Sequence, residues 1–482
     1  MTQLSDPRAN PSGSIRPVEP GASGPGQKQG PAGPIERVVS AVIRKLAWSR
    51  LADPRVAIAV SGVGLLLGAV VGATAPNTET LPVVLPLSGL LPSLSAYPVL
   101  ATTMLYTGNI LACLGLAGML WAHSQGWRPD PRRLLLVSAG VVAVMVSLTP
   151  VGSSDTASYA AYGRITALGG NPYTDNPLSF LGRLNPYTLA VGTVWKRQPS
   201  VYGPFATVIQ RIAAMVGGTD VATTIWILMI LNGLVFIGVG WLLLKTSDDP
   251  VRATLFWVAN PVLIQQLVSG GHLDTFVAAA AICSIQVARR VSGRRGDVLI
   301  GLLIGLACGI KVTAVLIGLG LAWPLLRRHE WMRTARIAVV ALVVVGLQYS
   351  FYGLSALKPL FQGSQWVTLP SPWWFLQELG TALGASKGTM DTLITPLWVI
   401  AMFVVARLIY LRISSDQPRE VVAPFALTFA WILVAPWVFA WYTAIAWAAL
   451  TQVPRNRMTR WLALFTVYLA LWHSSGGQVP VK

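Results

Sequence analysis

The sequence predicts an all-α fold, a polytopic helical bundle in a membrane. Three observations lead there. Hydrophobic residues make up 54% of the 482, only 11% are charged, and the apolar residues gather in long runs. An ordinary soluble domain carries about 25% charged residues. A soluble fold cannot bury this much apolar surface and keep a polar skin, so lipid is the main solvent. A spanning helix takes about 20 apolar residues, and the chain has room for about 11–14 of them.

Thirteen candidate spans follow in order: 56–74, 98–122, 133–150, 220–244, 252–269, 272–288, 297–310, 312–326, 336–352, 391–411, 421–438, 440–453 and 460–474. Gly and Pro interrupt several of them, which membrane helices tolerate when neighbours cover the freed backbone. Ahead of them, residues 1–34 are rich in Pro and Gly and poor in large apolar side chains. Such a composition buries no core. No cleavable signal peptide is read at the start. The expected division is a disordered cytoplasmic tail, 1–50, and a transmembrane domain, 51–482. Two long outer loops, 151–202 and 353–390, belong to that domain.

Charge sets the orientation. The net charge is +18, and 27 of the 36 Lys and Arg fall in the tail and in alternate loops. Those loops include Arg128 to Arg133, Arg289 to Arg295, Arg327 to Arg336 and Arg455 to Arg460. Basic loops stay in the cytoplasm, so the N-terminus is expected inside. The basic balance is a topology signal and gives no reason to expect nucleic acid. The run 203–217 is apolar and helical in pattern, but a crossing there would invert the next basic loop. It is expected to lie along the outer surface or to re-enter, with Arg211 at an interface or cavity.

Cys113, Cys283 and Cys308 each sit inside an apolar run, far apart in sequence. They read as packing residues. No Cys/His cluster suggests zinc.

Of eighteen acidic residues, seven fall on the outer side: Glu79, Asp155, Asp175, Asp220, Asp274, Glu378 and Asp391. Asp155 opens the loop 151–202, which is far longer than most unstructured connections. This loop also carries Tyr159, Tyr162, Tyr173, Tyr187, Trp195 and Tyr202, with Arg164, Arg183, Lys196 and Arg197. Aromatic rings stack on the CH faces of sugars, and polar groups meet the hydroxyls. An interfacial aromatic belt is the plainer reading of the same rings. Helical spacing puts Asp155, Tyr159 and Gly163 on one face. A carboxylate there can act as a general base; it can equally cap free backbone N–H groups.

The pattern Asp155-x-x-x-Tyr159-x-x-x-Gly163-Arg164 is followed by Gly170-Asn171-Pro172-Tyr173 and Tyr202-Gly203-Pro204. Asn260-Pro261, Gly270-Gly271-His272-Leu273-Asp274, Gly309-Ile310-Lys311-Val312, Pro436-Trp437 and Trp441-Tyr442 come later. The ordered set, from about residue 130 to 450, resembles the GT-C class of membrane glycosyltransferases. It is most similar to the bacterial polyprenol-phosphomannose-dependent α-1,6-mannosyltransferases. Leu273 departs from the family, which often has Asn at that position.

The resemblance implies a GT-C bundle in the bacterial cell membrane, with its active site on the outer face. It implies an inverting transfer of mannose from a polyprenyl-phosphate-mannose donor to a lipid-linked mannan acceptor, with no cofactor and no metal. Asp155 falls on the family's catalytic acid and would be the general base. A single inversion needs no second carboxylate at retaining distance. The leaving phosphate needs cationic or N–H donors. Lys311 is the first candidate, because lysine within apolar sequence is costly and usually functional; snorkelling to the interface is the alternative. Arg164 and Arg211 are further phosphate candidates. His272 and Asp274, in a Gly-rich turn, would meet donor phosphate or sugar, or pair with each other. Tyr159, Tyr162, Asn171, Tyr173, Tyr202, Trp441 and Tyr442 would meet the acceptor or its sugar. Trp366, Trp373, Trp374, Trp437 and Trp447 read as interface anchors first and as glycan-stacking rings second. Another polyprenyl-phosphate sugar, such as arabinose or glucose, is an open alternative. So is a flippase for a lipid-linked glycan, although no internal repeat supports one.

Overall fold

The computed structural model describes residues 53–363, 366–369, 371–413 and 418–472. The tail 1–50, expected to be disordered and cytoplasmic, lies outside the described residues. Among the described residues the regular elements are helices, and the one strand-like contact is a bridge between Thr80 and Val151.

The first helices are α1 (Pro54–Ala73), α2 (Pro98–Ser124) and α3 (Pro131–Met145). Asp53 and Asp130 cap α1 and α3, and a proline follows each cap. Acid-then-proline is a local start signal, since the cap satisfies a free N–H and the proline has none to lose. The loop 151–202 opens with α4 (Asp155–Ala167), and α5 (Pro204–Gly217) follows it. Next come α6 (Val221–Thr246), α7 (Pro250–Phe256), α8 (Asp274–Arg290), α9 (Gly293–Cys308), α10 (Val315–Arg327) and α11 (Trp331–Ser350). The last are α12 (Pro372–Ala382), α13 (Lys387–Arg412), α14 (Arg419–Val434), α15 (Thr443–Leu450) and α16 (Met458–Trp472).

Each of the thirteen expected spans falls on helical structure. Among the described residues five helices, α1, α2, α6, α11 and α13, are long and apolar enough to cross a membrane unaided. The others are shorter or interrupted. The expected run 252–269 is the clearest departure: it is not one helix. α7 stops at Phe256, and a short helix Pro261–Leu263 passes into a π-helical turn, Ile264–Ser269. The cause is local. Proline disfavours the helical conformation in the residue before it. Asn260 instead accepts hydrogen bonds from the Val262 and Leu263 N–H groups at 3.1 and 3.2 Å and starts the chain afresh.

Small residues bring helices together. On α1, a side chain at Gly64 would press on the Gly108 carbonyl and the Ala112 nitrogen of α2. On α9, Gly301 and Gly305 lie against Val340 and Val344 of α11. In lipid, where apolar surface gains nothing from leaving solvent, such close approach is a main source of association. The core gathers around α14 and α15, whose side chains are nearly all buried, with Trp257, Trp447, Phe425 and Phe429 among the largest. α11 lies at the periphery and buries Ile337 alone among its described residues.

The basic loops are tied by ion pairs. Buried Asp297 receives Arg333 at 3.0 Å and Arg336 at 2.8 Å. Arg289 meets Asp248 at 3.0 Å, and Arg455 meets Asp249 at 3.2 Å.

The run 203–217 forms a helix of 14 residues, too short for a full span. It buries Ala206, Thr207, Gln210, Ala213 and Ala214 and exposes Ile212, Met215 and Val216. It packs against α4 through Gly163, where an added β-carbon would overlap the Gln210 carbonyl. Gly163→Ala is therefore expected to force the two helices apart, at a cost of about 1–3 kcal/mol. The check is a clear fall in the thermal midpoint of the purified protein in detergent. An unchanged midpoint would mean that the two backbones are not packed this closely.

Candidate functional site

The site is built where α4 begins. Ser154 is the N-cap residue and Asp155 the first residue of α4, yet neither side chain caps the helix. Of the two roles open to Asp155 from its spacing, capping is not the one its side chain takes here. Its carboxylate turns away from the backbone and toward three side chains. Tyr159 and Tyr202 direct their hydroxyls to Asp155 Oδ2 at 3.4 and 3.5 Å. His272 Nδ1 lies 3.4 Å from the same oxygen.

The Gly-rich turn that carries His272 is fixed against the start of α4. Val151 N–H donates to the Ser269 carbonyl at 3.1 Å. Thr156 donates its hydroxyl to the Gly270 carbonyl at 2.9 Å. From the middle of α6, the Asn232 amide donates to the His272 carbonyl. Gly271 has φ of +67°, in the left-handed region that favours glycine, and a β-carbon there would strike Thr156. The His272 ring stacks face to face on Trp441, with centroids 3.8 Å apart and planes 10° from parallel.

Asp274 does not pair with His272. It is fully buried, and Lys311 donates to both its oxygens at 3.0 and 2.7 Å. The Lys311 ammonium also sits 4.0 Å above the Tyr442 ring, where a cation is attracted to the π face. Gly309 and Ile310, just before it, hold the start of α5. Phe205 and Ala206 donate to the Gly309 carbonyl at 2.7 and 3.0 Å, and Gly203 donates to the Ile310 carbonyl at 3.0 Å. The Tyr202-Gly203-Pro204 and Gly309-Ile310-Lys311 motifs are thus two halves of one contact. A side chain on Gly203 would overlap Gly309.

Electrostatics favours a charged Asp155. Burial pushes its carboxyl up, but His272, Lys311 and Tyr159 together outweigh burial and hold it below the usual carboxylate range. Burial, with the Asp155 charge beside them, pushes Tyr159 and Tyr202 well above the usual phenol range. Both remain hydrogen-bond donors. Among the described residues no three His, Cys, Asp or Glu side chains converge as metal ligands would.

The structure brings Asp155, Tyr159, Tyr202, His272, Asp274, Lys311, Trp441 and Tyr442 together. Four other candidates and Arg211 fall elsewhere. Arg164 is nine residues from Asp155, half a turn out of phase at 3.6 residues per turn, and lies over the Tyr187 ring at 5.9 Å. Arg211 is exposed on the far side of α5. Tyr162 donates to the Gln198 carbonyl at 3.1 Å, and Tyr173 meets the Thr207 hydroxyl at 3.0 Å. Asn171 accepts from the Tyr173 N–H at 3.0 Å. These last three fasten loop 151–202 to itself and to α5. Two residues at the site were not singled out from sequence, Phe439 and Asn232. Phe439 stacks on Trp441 at 4.6 Å. Asn232 left one signal, a lone amide within the long apolar run of α6.

Comparison with known proteins shows the family. A family model described as alpha-(1->6)-mannopyranosyltransferase, N-terminal domain, matches residues 56–327. A probable alpha-(1->6)-mannopyranosyltransferase of Mycolicibacterium smegmatis is 28% identical over 253 residues, covering 50% of this chain and 41% of the relative. Alpha-(1->6)-mannopyranosyltransferase B of Corynebacterium glutamicum is 28% identical over 273 residues, 51% of this chain and 45% of the relative. Alpha-(1->6)-mannopyranosyltransferase A of Mycobacterium tuberculosis is 26% identical over 392 residues, 74% of this chain and 72% of the relative. The chain covers less than half the length of the first two. No solved structure matches it.

The Lys311–Asp274 pair makes a stability prediction. Asp274→Ala leaves an ammonium in a poorly solvated place without its partner, with an expected loss of about 3–5 kcal/mol. Adding Lys311→Met removes the stranded charge and should recover much of the loss. Thermal midpoints of the single and double variants check this; a double variant no more stable than Asp274→Ala would count against the pair.

Proposed function

The chain belongs to the alpha-(1->6)-mannopyranosyltransferase family, and we propose that it is an inverting mannosyltransferase acting at the outer leaflet of a bacterial cell membrane. On this reading the N-terminus is cytoplasmic. The donor is polyprenyl-phosphate-mannose, and the acceptor is a lipid-linked mannan that receives the new sugar in α-1,6 linkage. The observation that carries the reading is the Asp155 carboxylate, not engaged in helix capping, facing two tyrosines and a stacked histidine, with the half-buried Lys311 nearby.

In the proposed step, Asp155 accepts the proton of an acceptor hydroxyl as that oxygen attacks the anomeric carbon. The bond between that carbon and the phosphate oxygen breaks, and polyprenyl phosphate leaves as an anion. One displacement inverts the configuration, so a β-linked donor gives an α product. Lys311 is the proposed phosphate partner. An ammonium has three N–H donors, and two are engaged by Asp274, which leaves one to meet the developing charge. His272 keeps Asp155 ionised and, held between Trp441 and the Asn232 bond, keeps it oriented. Asp274 orients Lys311 and is too deeply buried to meet a sugar itself. Tyr159 and Tyr202 support the carboxylate, and Trp441 and Tyr442 form the aromatic floor beside it.

The identity of the donor sugar is the finest part of the reading. Purified protein offered phosphomannose, phosphoarabinose and phosphoglucose lipids in parallel should use the mannose donor; preference for either of the others would replace mannose in this account.

Asp155→Asn should lower kcat/KM by about 10²–10⁴-fold, the usual worth of a positioned base, in a protein that still folds and still binds donor. Wild-type-like turnover in that variant would remove Asp155 from the mechanism. The pH dependence has a definite sign. A carboxyl held low is ionised above its pKa and lost as a base only when pH falls through it. The acid limb of kcat/KM should therefore lie below about pH 4, the ordinary aspartate value. His272→Gln removes the strongest influence opposing burial and should move that limb to higher pH.

A further inference from the structure

The ring contacts do not stop at Trp441. Phe439 stacks on it, Trp437 meets Phe439 at 4.9 Å, Trp366 meets Trp437 at 5.0 Å, and Trp195 meets Trp366 at 5.5 Å. Gly192, three residues before Trp195, lies against Ser154, beside Asp155. The aromatic path therefore leaves Asp155 through His272 and Trp441 and returns toward it through Trp195. Three separate segments supply the rings: loop 151–202, loop 353–390 and the stretch ahead of α15. Exposure changes along the path. Trp441 and Phe439 are buried, whereas Trp437, Trp366 and Trp195 are half-buried.

Loop 353–390 is fastened where it carries Trp366. Thr368, itself buried, donates its N–H to the Pro436 carbonyl at 2.8 Å and accepts from the Val438 N–H at 3.3 Å. Trp373 donates its indole N–H to the Val434 carbonyl. An interfacial anchor needs only one ring pointing toward lipid. Here indoles from distant segments converge on one another, and backbone bonds at Thr368 fasten the segment that carries Trp366. Preorganised rings leading away from a half-buried carboxylate suit a ligand longer than the reacting group.

We propose that Trp195, Trp366 and Trp437 form a distal subsite that stacks the pyranose rings of an acceptor chain already built, beyond the sugar whose hydroxyl reacts at Asp155. The ligand class is a linear oligosaccharide of hexopyranoses, with about one ring per indole. The proposal rests on reading Asp155 as the transfer site. It assigns the preference for an oligosaccharide acceptor over a single sugar to these three rings.

The test compares a methyl mannoside with an α-1,6-linked mannotrioside as acceptors, using the purified full chain and polyprenyl-phosphate-mannose. Wild-type protein should prefer the trisaccharide in kcat/KM, mainly through KM. Trp366→Ala should reduce that preference by about tenfold, the scale of losing one anchoring aromatic in a recognition site. Trp366→Phe, which keeps a stacking ring and guards against misfolding, should retain most of it. Equal use of the two acceptors by wild-type protein overturns the proposal, as does an undiminished preference in Trp366→Ala. Direct binding of the trisaccharide to Asp155→Asn, read by tryptophan fluorescence, separates the two layers. Trp366-dependent binding without any transfer in wild type sustains the subsite and sinks the transferase reading. Transfer without chain-length preference does the reverse.

Discussion

The ion pair between Lys311 and Asp274 is the interaction on which the rest of the site depends. A full charge in a poorly solvated place is tolerated only with a partner in good geometry, and both carboxylate oxygens are engaged. The pair joins the segment after α9 to the start of α8, and through His272 to Asp155. The same segment, by the Gly309 and Ile310 carbonyls, carries the start of α5. The Tyr442 ring closes the arrangement from the third side. Four parts of the chain far apart in sequence are thus held by one short stretch.

Around that pair the structure separates two kinds of polar work. Asn171, Tyr162 and Tyr173 spend their hydrogen bonds on backbone and on α5, and they shape the loop. Asp155, Tyr159 and Tyr202 turn theirs toward one another, with His272 Nδ1 3.4 Å from the same carboxylate oxygen. An acid that three neighbours address, and that caps nothing, is available for a ligand. The ionised state of Asp155 follows from those neighbours and from Lys311, not from exposure, because burial alone would favour the neutral form.

Much of this was legible in the residues. Composition dictated a helical membrane bundle, and the apolar runs marked where its helices lie. The motif order brought Asp155, His272, Lys311 and Trp441 under suspicion. Other matters were not legible, for physical reasons. Hydropathy missed the break at Asn260, because it averages over an apolar window and gives no weight to the local conformational bias that Pro261 imposes. Arg164 and Arg211 carry the right charge for a phosphate, but helical phase turns the first away and burial of the opposite face of α5 exposes the second. Asp274 could be suspected but not assigned, because its partner lies 37 residues away. Phe439 looked like any apolar residue until its stacking on Trp441 was seen.

The joint between Gly203 and Gly309 has a consequence for anyone who recombines these proteins. Gly203 leaves room for the Gly309 backbone, and the Gly309 and Ile310 carbonyls accept from the amides of Gly203, Phe205 and Ala206. The two motifs form a lock divided between halves of the chain, separated by more than a hundred residues. A chimera that takes one half from a relative inherits only one face of that lock. Crossover points that keep both faces from the same parent are the ones that preserve the seating of Lys311.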